Sequence, residues 1–289
     1  MYFKKRFRVA VWAISVGVGV SIMLIPLALG LYVPEQPYLI PLSQRVNNVF
    51  ALGLVIAFGF PAVVEYSNYV WGRQIEHAIP RLLRDVAESV RSGVTLPRAV
   101  EEASQRGYGP LSKELEHVIS MFVLGASWEE AMMSLAKRVR RPSVSRMATV
   151  LIEANQTGGR MSEVLDTSVE LFSSLDEFKE EQFNNMRPYL FTIYMATIIF
   201  LVIAYVVLHQ FLAPLSVAAT NAVAGEAGML PSVLDIDYYV SILFWASMVE
   251  SFFGGFIAGK IGDRSYSAGL RHSVILAVVT LVFFNVTGV

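Results

Sequence analysis

Five stretches of this sequence are long, apolar and almost free of charge. Together they contain one charged side chain, that of Glu250, although 16% of the chain is Asp, Glu, Lys or Arg. A helix needs about 20 apolar residues to cross the hydrocarbon core of a membrane. The pattern therefore predicts an all-α, polytopic membrane protein, with spans at residues 9–33, 46–64, 188–212, 238–259 and 273–289. The last stretch is short for a span, which favours a tilted or re-entrant helix.

The charge that these stretches lack is concentrated in residues 73–187. This block holds 15 of the 23 Lys and Arg residues and 17 of the 24 Asp and Glu residues. Cytoplasmic loops carry an excess of Lys and Arg beside the spans, and the N-terminal tail and residues 260–272 show the same bias. We expect a cell-membrane protein with its N-terminus and residues 73–187 in the cytoplasm and its C-terminus outside. Residues 1–72 then hold two spans, and residues 188–289 hold three.

Composition excludes several kinds of chemistry. The chain has no cysteine, so disulfides, thiolate metal sites and a cysteine nucleophile are excluded. Its net charge of -1 gives no support to nucleic-acid binding, which needs a basic stripe. No glycine-rich loop ends in Lys-Ser or Lys-Thr, so any ATP must be used by a partner.

No metal site, cofactor site or catalytic residue is expected. Glu114 and His117 have the Glu-x-x-His spacing of carboxylate-bridged metal sites, but such sites need further carboxylates and a second copy of the motif. His77, His209 and His272 lack ligand spacing and are expected to be isolated.

Helix signals recur along the charged block, with apolar residues at helical spacing between them. They predict a cytoplasmic bundle of six helices. Pro80 suits the first turn of the first helix, and Thr95 and Ser112 are expected to open the second and third. Ser127 and Glu130 have the spacing of a capping box for the fourth helix.

Glycine predicts where several of these helices end, because it adopts the left-handed backbone of a helix C-terminus without steric cost. Gly93 and Gly125 are expected to end the first and third helices, and Gly158 with Gly159 the fifth. The sixth helix is expected to continue toward the third span, with Pro188 as a kink or a break.

Three turns in this block resemble those of one protein family. They are VRSGVTLPRA at residues 90–99, LGASWEEA at residues 124–131 and TGG at residues 157–159. In this order they resemble the F domain of type II secretion and type IV pilus assembly platform proteins, and the resemblance extends over residues 75–215. It implies a non-enzymatic membrane platform that couples a cytoplasmic secretion ATPase to the insertion or extraction of pilin-like subunits.

Two departures from the family's pattern limit what the resemblance implies. Many bacterial members have a glutamate just before the Thr-Gly turn, where this sequence has Asn155 and the nearby carboxylate is Glu153, so no acidic contact is transferred. Those members also carry two copies of the domain, whereas one copy is found here. The single copy is similar to tight-adherence pilus and archaeal pilus or archaellum platform proteins. It implies a homodimer or a pair with a sister chain.

A basic cluster is the candidate contact with a partner. Five of the ten residues from 137 to 146 are basic: Lys137, Arg138, Arg140, Arg141 and Arg146. Cations complement the dipole at a helix C-terminus, so a solvated helix end, or a contact with anionic lipid, explains the cluster without a protein partner. The other interpretation is a docking patch for an acidic surface of a cytoplasmic motor.

Glu250 lies in the middle of the fourth span, between Ser247 and Ser251. An ionised side chain is costly there and usually faces a partner or water. Three interpretations remain open: a contact with another subunit or a pilin, a proton-coupled carboxylate, and an acid held by the neighbouring serines and the backbone. The second makes a small proton-coupled membrane transporter the alternative function, and a membrane-tethered signalling adaptor is a further alternative.

Small residues four positions apart recur in three spans, and such faces let helices approach closely. We expect them to pack within the chain, with dimerisation as the alternative. They are Gly255 and Gly259 in the fourth span, Ala13, Gly17 and Ser21 in the first, and Gly53 and Ala57 in the second.

Overall fold

The computed structural model of the protein describes residues 3–32, 40–217 and 235–287. These residues form helices joined by short turns, and no strand occurs among them, which confirms the predicted all-α class. Two loops are predicted on the outer side of the membrane, residues 34–45 and 213–237, and residues 34–39 and 218–234 of them lie outside the described ranges.

The main helices account for most of the described chain. In chain order they are α1 (Lys5–Ala28), α2 (Gln44–Arg91), α3 (Leu96–Ser104), α4 (Pro110–Val123), α5 (Trp128–Val139), α6 (Pro142–Thr157), α7 (Met161–Val206), α8 (Ile236–Gly262) and α9 (Tyr266–Val286). A 3₁₀ turn, Gly158–Arg160, joins α6 to α7. A π-helical segment, Val207–Leu212, follows α7.

Two compact units make up the chain. The first, here called the bundle unit, consists of Met1–Lys4 and Ser67–Asn185. The second, here called the span unit, consists of Lys5–Tyr66 and Met186–Val289. Both α2 and α7 contribute residues to each unit.

Five helical stretches of the described chain are long and apolar enough to cross a membrane, as the hydropathy pattern predicts. They are α1, α2, α8, α9 and the longer stretch that contains α7. The fifth is longer than expected, since α9 has 21 residues and begins at Tyr266 rather than at residue 273. The protein is therefore a multi-pass helical membrane protein.

The bundle unit encloses one apolar core. Each of its helices, from the C-terminal part of α2 to the N-terminal part of α7, buries residues in it, and the stripes predicted from helical spacing supply many of them. The buried residues include Ile75, Ile79, Leu82, Leu83, Val86, Val100, Leu115, Val118, Met132, Leu135, Met147, Leu151, Leu165 and Phe172.

Two prolines that were expected at a helix start or a helix break, Pro80 and Pro188, lie inside long helices. The predicted helix start at Pro80 is wrong, because α2 continues through Pro80 to Arg91. Ile79 and Leu82 beside it are fully buried in the core, and this packing offsets the hydrogen bond that proline cannot donate. Similarly, α7 passes through Pro188 without a break.

The predicted helix caps are confirmed in part. Ser127 Oγ accepts a hydrogen bond from the Glu130 amide at 3.1 Å, and Glu130 Oε2 accepts one from the Ser127 amide at 3.0 Å, which completes the capping box. Thr95 is the N-cap residue of α3 but makes no side-chain capping bond. Ser112 is not a cap, because α4 begins two residues before it. Its hydroxyl instead accepts from the Tyr108 amide at 2.9 Å.

The predicted glycine turns are present. Gly93 and Gly125 have φ angles of 93° and 98°. In both turns the following amide donates to the carbonyl five residues earlier, at 3.1 Å, which is the Schellman arrangement. Gly158 also has a positive φ, of 56°, and Gly159 follows it in the 3₁₀ turn.

A tyrosine ties the turn between α3 and α4 to α2. The Tyr108 hydroxyl donates to the Asp85 carboxylate, which also lies 3.7 Å from Arg106. Burial, with a smaller contribution from the hydrogen bond to Asp85, raises the pKa of Tyr108. The phenol therefore stays protonated, as a hydrogen-bond donor, at neutral pH.

Candidate partner-binding site

The basic cluster lies at the junction of α5 and α6. Lys137 and Arg138 are in the last turn of α5, where their charge complements the helix dipole. Arg140 is the C-cap residue, with a left-handed φ of 54°. Arg141 is the N-cap residue of α6, and Arg146 lies in the second turn of that helix. The reversal of the chain at Arg140 thus brings basic residues from two helix ends to one junction.

Two of the five basic residues are engaged inside the bundle unit. Arg138 Nε donates to Glu114 Oε2 of α4 at 2.9 Å. Arg141 pairs with Glu76 of α2 at 3.8 Å, and its guanidinium lies so close to Gly72 that a Cβ there would be 2.2 Å from Nη2. These contacts tie α5 and α6 to other helices, so Arg138 and Arg141 stabilise the fold.

Lys137 and Arg140 are exposed and form no ion pair with any residue in the described ranges. Arg140 Nε donates to the Lys137 carbonyl at 3.3 Å, so the two residues are neighbours on the surface. Arg146 is also exposed, but it lines a small cavity together with Glu76 and Asp176. Lys137 and Arg140, here called the basic surface, are therefore the members of the cluster most available to an acidic partner.

Glu250 is half-buried in α8, beside the hydroxyl of Thr197 in α7. Its Oε2 atom is buried and has no hydrogen-bond partner among the described residues. The flanking serines are engaged elsewhere: Ser247 Oγ donates to a carbonyl of its own helix, and Ser251 Oγ bonds to Thr280 Oγ1 at 2.7 Å. These contacts give no support to the interpretation in which the serines hold the acid.

The small residues of α8 pack against α9 within the chain. A Cβ on Gly255 would lie 2.1 Å from the backbone nitrogen of Ser273, and a Cβ on Gly259 would lie 2.1 Å from Cα of Gly269. The two backbones are thus in direct contact, and the predicted intrachain packing of this face is confirmed.

The first span uses a different face from the predicted one. Gly19 is buried, and a Cβ there would lie 2.5 Å from the carbonyl oxygen of Gly53 in α2. By contrast, Ala13, Gly17 and Ser21 are exposed in the span unit, so the intrachain packing expected of this face is wrong, and its alternative, dimerisation, stays a prediction. Spacing alone cannot tell which of two small-residue faces meets the neighbouring helix.

His77 is not isolated, contrary to the expectation from spacing. Its Nδ1 atom lies 3.1 Å from Asp176 Oδ2 and 3.9 Å from Glu180 Oε1, both in α7. The sequence hides this group because 99 residues separate His77 from Asp176. In the pair with metal-like spacing, Glu114 binds an arginine instead and His117 is exposed.

The span unit contains an ion pair that sequence reasoning missed. Arg8 Nη2 lies 2.7 Å from both carboxylate oxygens of Glu65, and Trp12 Nε1 donates to the same carboxylate at 3.4 Å. The side chain of Glu65 is only 8% exposed. A signal was present, since Arg8 is the last charge before the first apolar stretch and Glu65 is the first charge after the second.

Comparisons with known proteins agree with the turn motifs. The family described as type II secretion system (T2SS), protein F, matches residues 82–209. An uncharacterized protein of Methanocaldococcus jannaschii is 26% identical over 224 residues, which are 77% of this chain and 36% of that protein. The chain thus spans about a third of that relative's length, and no solved structure matches it. The matched range contains all three turns, and residues 82–209 are therefore similar to the family described as type II secretion system (T2SS), protein F.

Proposed function

We propose that this chain is a non-enzymatic membrane platform protein of a type IV pilus-like or type II secretion-like machine. It couples a cytoplasmic assembly ATPase to the insertion of pilin-like subunits into the filament or to their extraction from it. The observation that carries the proposal is the F-domain match over residues 82–209, in a chain with five helical stretches able to cross a membrane.

The proposal places the bundle unit in the cytoplasm, where the ATPase is found. Lys and Arg are concentrated in residues 73–187 and in the N-terminal tail, and this bias favours the cytoplasmic side of a membrane. The C-terminus then lies outside. A second copy of the chain, or a sister platform chain, completes the assembly.

Two helices are suited to carry movement between the units. Both α2 and α7 run unbroken from residues of the span unit into residues of the bundle unit. A rotation or tilt imposed on the bundle unit by the ATPase would be passed along these helices to the spans. Pilin-like subunits held by the spans would be displaced as a result.

A proton-coupled transporter has weaker support. Its coupling group would be Glu250, whose Oε2 atom has no hydrogen-bond partner in the described part of the chain. Transporters usually contain repeated groups of spans with polar residues at the midplane. The apolar stretches of this sequence contain one carboxylate and no evident repeat, so Glu250 fits a contact with a pilin or another subunit better.

Reversing the charge of the basic surface is expected to weaken ATPase binding. In Lys137→Glu combined with Arg140→Glu, two attractive contacts become repulsive, which should lower ATPase recovery with the platform roughly tenfold. The measurement is co-purification from native membranes in mild detergent, followed by identification of bound ATPase and pilin-like proteins. The matched control, Lys113→Glu with Arg160→Glu, reverses two exposed charges elsewhere in the bundle unit and should leave recovery unchanged.

A third variant separates binding from folding. Arg140→Gly removes one charge and also relieves a left-handed backbone, so it should stabilise the chain by about 1 kcal/mol while still reducing ATPase recovery. If Lys137→Glu combined with Arg140→Glu recovers as much ATPase as the wild type does, the basic surface is excluded as the contact. Repeated absence of any assembly ATPase or pilin-like protein from the wild-type preparation would count against the platform function itself.

A further inference from the structure

Three side chains able to bind a metal ion meet inside the bundle unit. His77 comes from α2, and Asp176 and Glu180 come from α7, where a spacing of four residues places both carboxylates on one helix face. Each residue offers one ligand atom, and these atoms all lie within 4.8 Å of one another.

The distances suit a single ion bound to all three residues. Zinc lies about 2.0–2.2 Å from imidazole nitrogen and carboxylate oxygen, so two of its ligands in a tetrahedral site are about 3.3 Å apart. His77 Nδ1 and Asp176 Oδ2 are already 3.1 Å apart. Glu180 Oε1 is 3.9 Å from Nδ1, and its side chain is 60% exposed and free to approach.

The donor set selects a class of ion. Imidazole with carboxylates, in the absence of thiolates, is typical of sites for zinc and other divalent first-row transition metals. Calcium and magnesium are bound by oxygen ligands instead. We infer that His77, Asp176 and Glu180 form a binding site for a divalent transition-metal ion such as zinc. This inference is independent of the platform function.

The site is open to an ion from solvent. The side chains of His77 and Asp176 are 34% and 23% exposed, so the ion can enter without unfolding of the core. Three protein ligands leave one tetrahedral position for water. The two carboxylates balance the charge of a divalent ion.

Arg73 controls the availability of His77. In the structure, Arg73 Nε donates to His77 Nε2 at 3.2 Å, and a guanidinium can only donate. Nε2 is therefore the acceptor, and Nδ1 carries the proton that it donates to Asp176. For Nδ1 to bind an ion, the ring must carry its proton on Nε2 instead. The hydrogen bond from Arg73 Nε to Nε2 must then break. The guanidinium already lies 4.6 Å from the centre of the Phe183 ring, which offers it another contact.

An ion held in this way would join α2 to α7. These are the two helices that contribute residues to both units, so the site would fix them against each other within the bundle unit. Bound zinc should then stabilise the folded chain, because it binds the folded state in preference to the unfolded one.

Zinc titration of the 289-residue chain tests the inference. The chain is purified in detergent, stripped with EDTA, dialysed, and titrated with zinc chloride in a calorimeter. We expect one ion per chain. His77→Gln and Asp176→Asn should each lower the affinity roughly 100-fold or more, since even changes in the outer shell of metal sites cost 10- to 100-fold. His117→Gln, which removes an exposed histidine of the same unit, is the matched control and should bind as the wild type does.

Two further readouts distinguish a metal site from a purely structural contact. Arg73→Gln should raise the zinc affinity several-fold, because it removes the group that competes for His77. Saturating zinc should raise the thermal unfolding midpoint of the wild type but not that of His77→Gln. If His77→Gln does not fold, Glu180→Gln is used in its place. The inference is overturned if the wild type does not bind millimolar zinc, if His77→Gln and Asp176→Asn bind normally, or if His117→Gln abolishes binding.

Discussion

Gly255→Ala is expected to destabilise the packing of α8 against α9 by about 3 kcal/mol. The new methyl group would lie 2.1 Å from the backbone nitrogen of Ser273 and 2.2 Å from its Cα. Backbone atoms cannot swing aside as the end of a flexible side chain can, so the two helices must separate. The measurement is the thermal unfolding of the purified chain in detergent.

The neighbouring glycine provides the matched control for this prediction. A Cβ on Gly254 would meet Ile193 Cγ2 at 3.5 Å, which is ordinary van der Waals contact. Gly254→Ala makes the same chemical change one residue away and should alter stability by no more than about 0.5 kcal/mol. Equal destabilisation by the two substitutions would show that α8 and α9 are not in backbone contact at Gly255.

Arg8→Ala is expected to cost about 3–5 kcal/mol, because it leaves the buried carboxylate of Glu65 without its partner. The two side chains form a bidentate pair between α1 and α2, with the side chain of Glu65 only 8% exposed. The expected result is a lower unfolding midpoint in detergent. A reduced amount of folded chain in the membrane should accompany it.

Two variants test whether the effect of Arg8→Ala comes from the unpaired acid. Adding Glu65→Gln to Arg8→Ala removes the uncompensated charge, so the double variant should be more stable than the single one. Arg6→Ala removes an exposed arginine from the same helix and should change stability little. If Arg8→Ala behaves as Arg6→Ala does, the ion pair does not hold α1 to α2.

Features that depend on neighbouring residues were predictable from the sequence. The spans follow from hydropathy over a window of about 20 residues. The turns at Gly93 and Gly125 follow from the conformational freedom of one residue. The capping box follows from two side chains three residues apart, those of Ser127 and Glu130. The same local signals fail where tertiary packing outweighs them, as at Pro80, which lies between the buried residues Ile79 and Leu82.

The candidate sites were less predictable because their geometry depends on distant residues. The sequence identifies all five basic residues near the α5–α6 junction. It cannot show that Arg138 and Arg141 are paired with Glu114 and Glu76, which come from other helices. Only after these contacts are known does the basic surface reduce to two residues.

The group around His77 illustrates the same limit. Asp176 and Glu180 have helical spacing, but their histidine comes from a helix far away in the sequence. Glu114 and His117 have metal-like spacing, yet Glu114 is paired with an arginine. Local spacing therefore could not identify the contacts of His77, since a group drawn from two helices depends on how those helices pack.

The proposed function requires direct contact between the bundle unit and an assembly ATPase, and cysteine cross-linking in cells detects such a contact. The 289-residue chain has no cysteine, so Arg140→Cys and the control Lys113→Cys each introduce a single thiol. After treatment with a membrane-permeant thiol–amine cross-linker, we expect a covalent adduct with the ATPase for Arg140→Cys and none for Lys113→Cys. The absence of an ATPase adduct for Arg140→Cys, together with reaction of its thiol with a membrane-impermeant reagent added outside the cell, would exclude a cytoplasmic bundle unit that binds the ATPase through this residue.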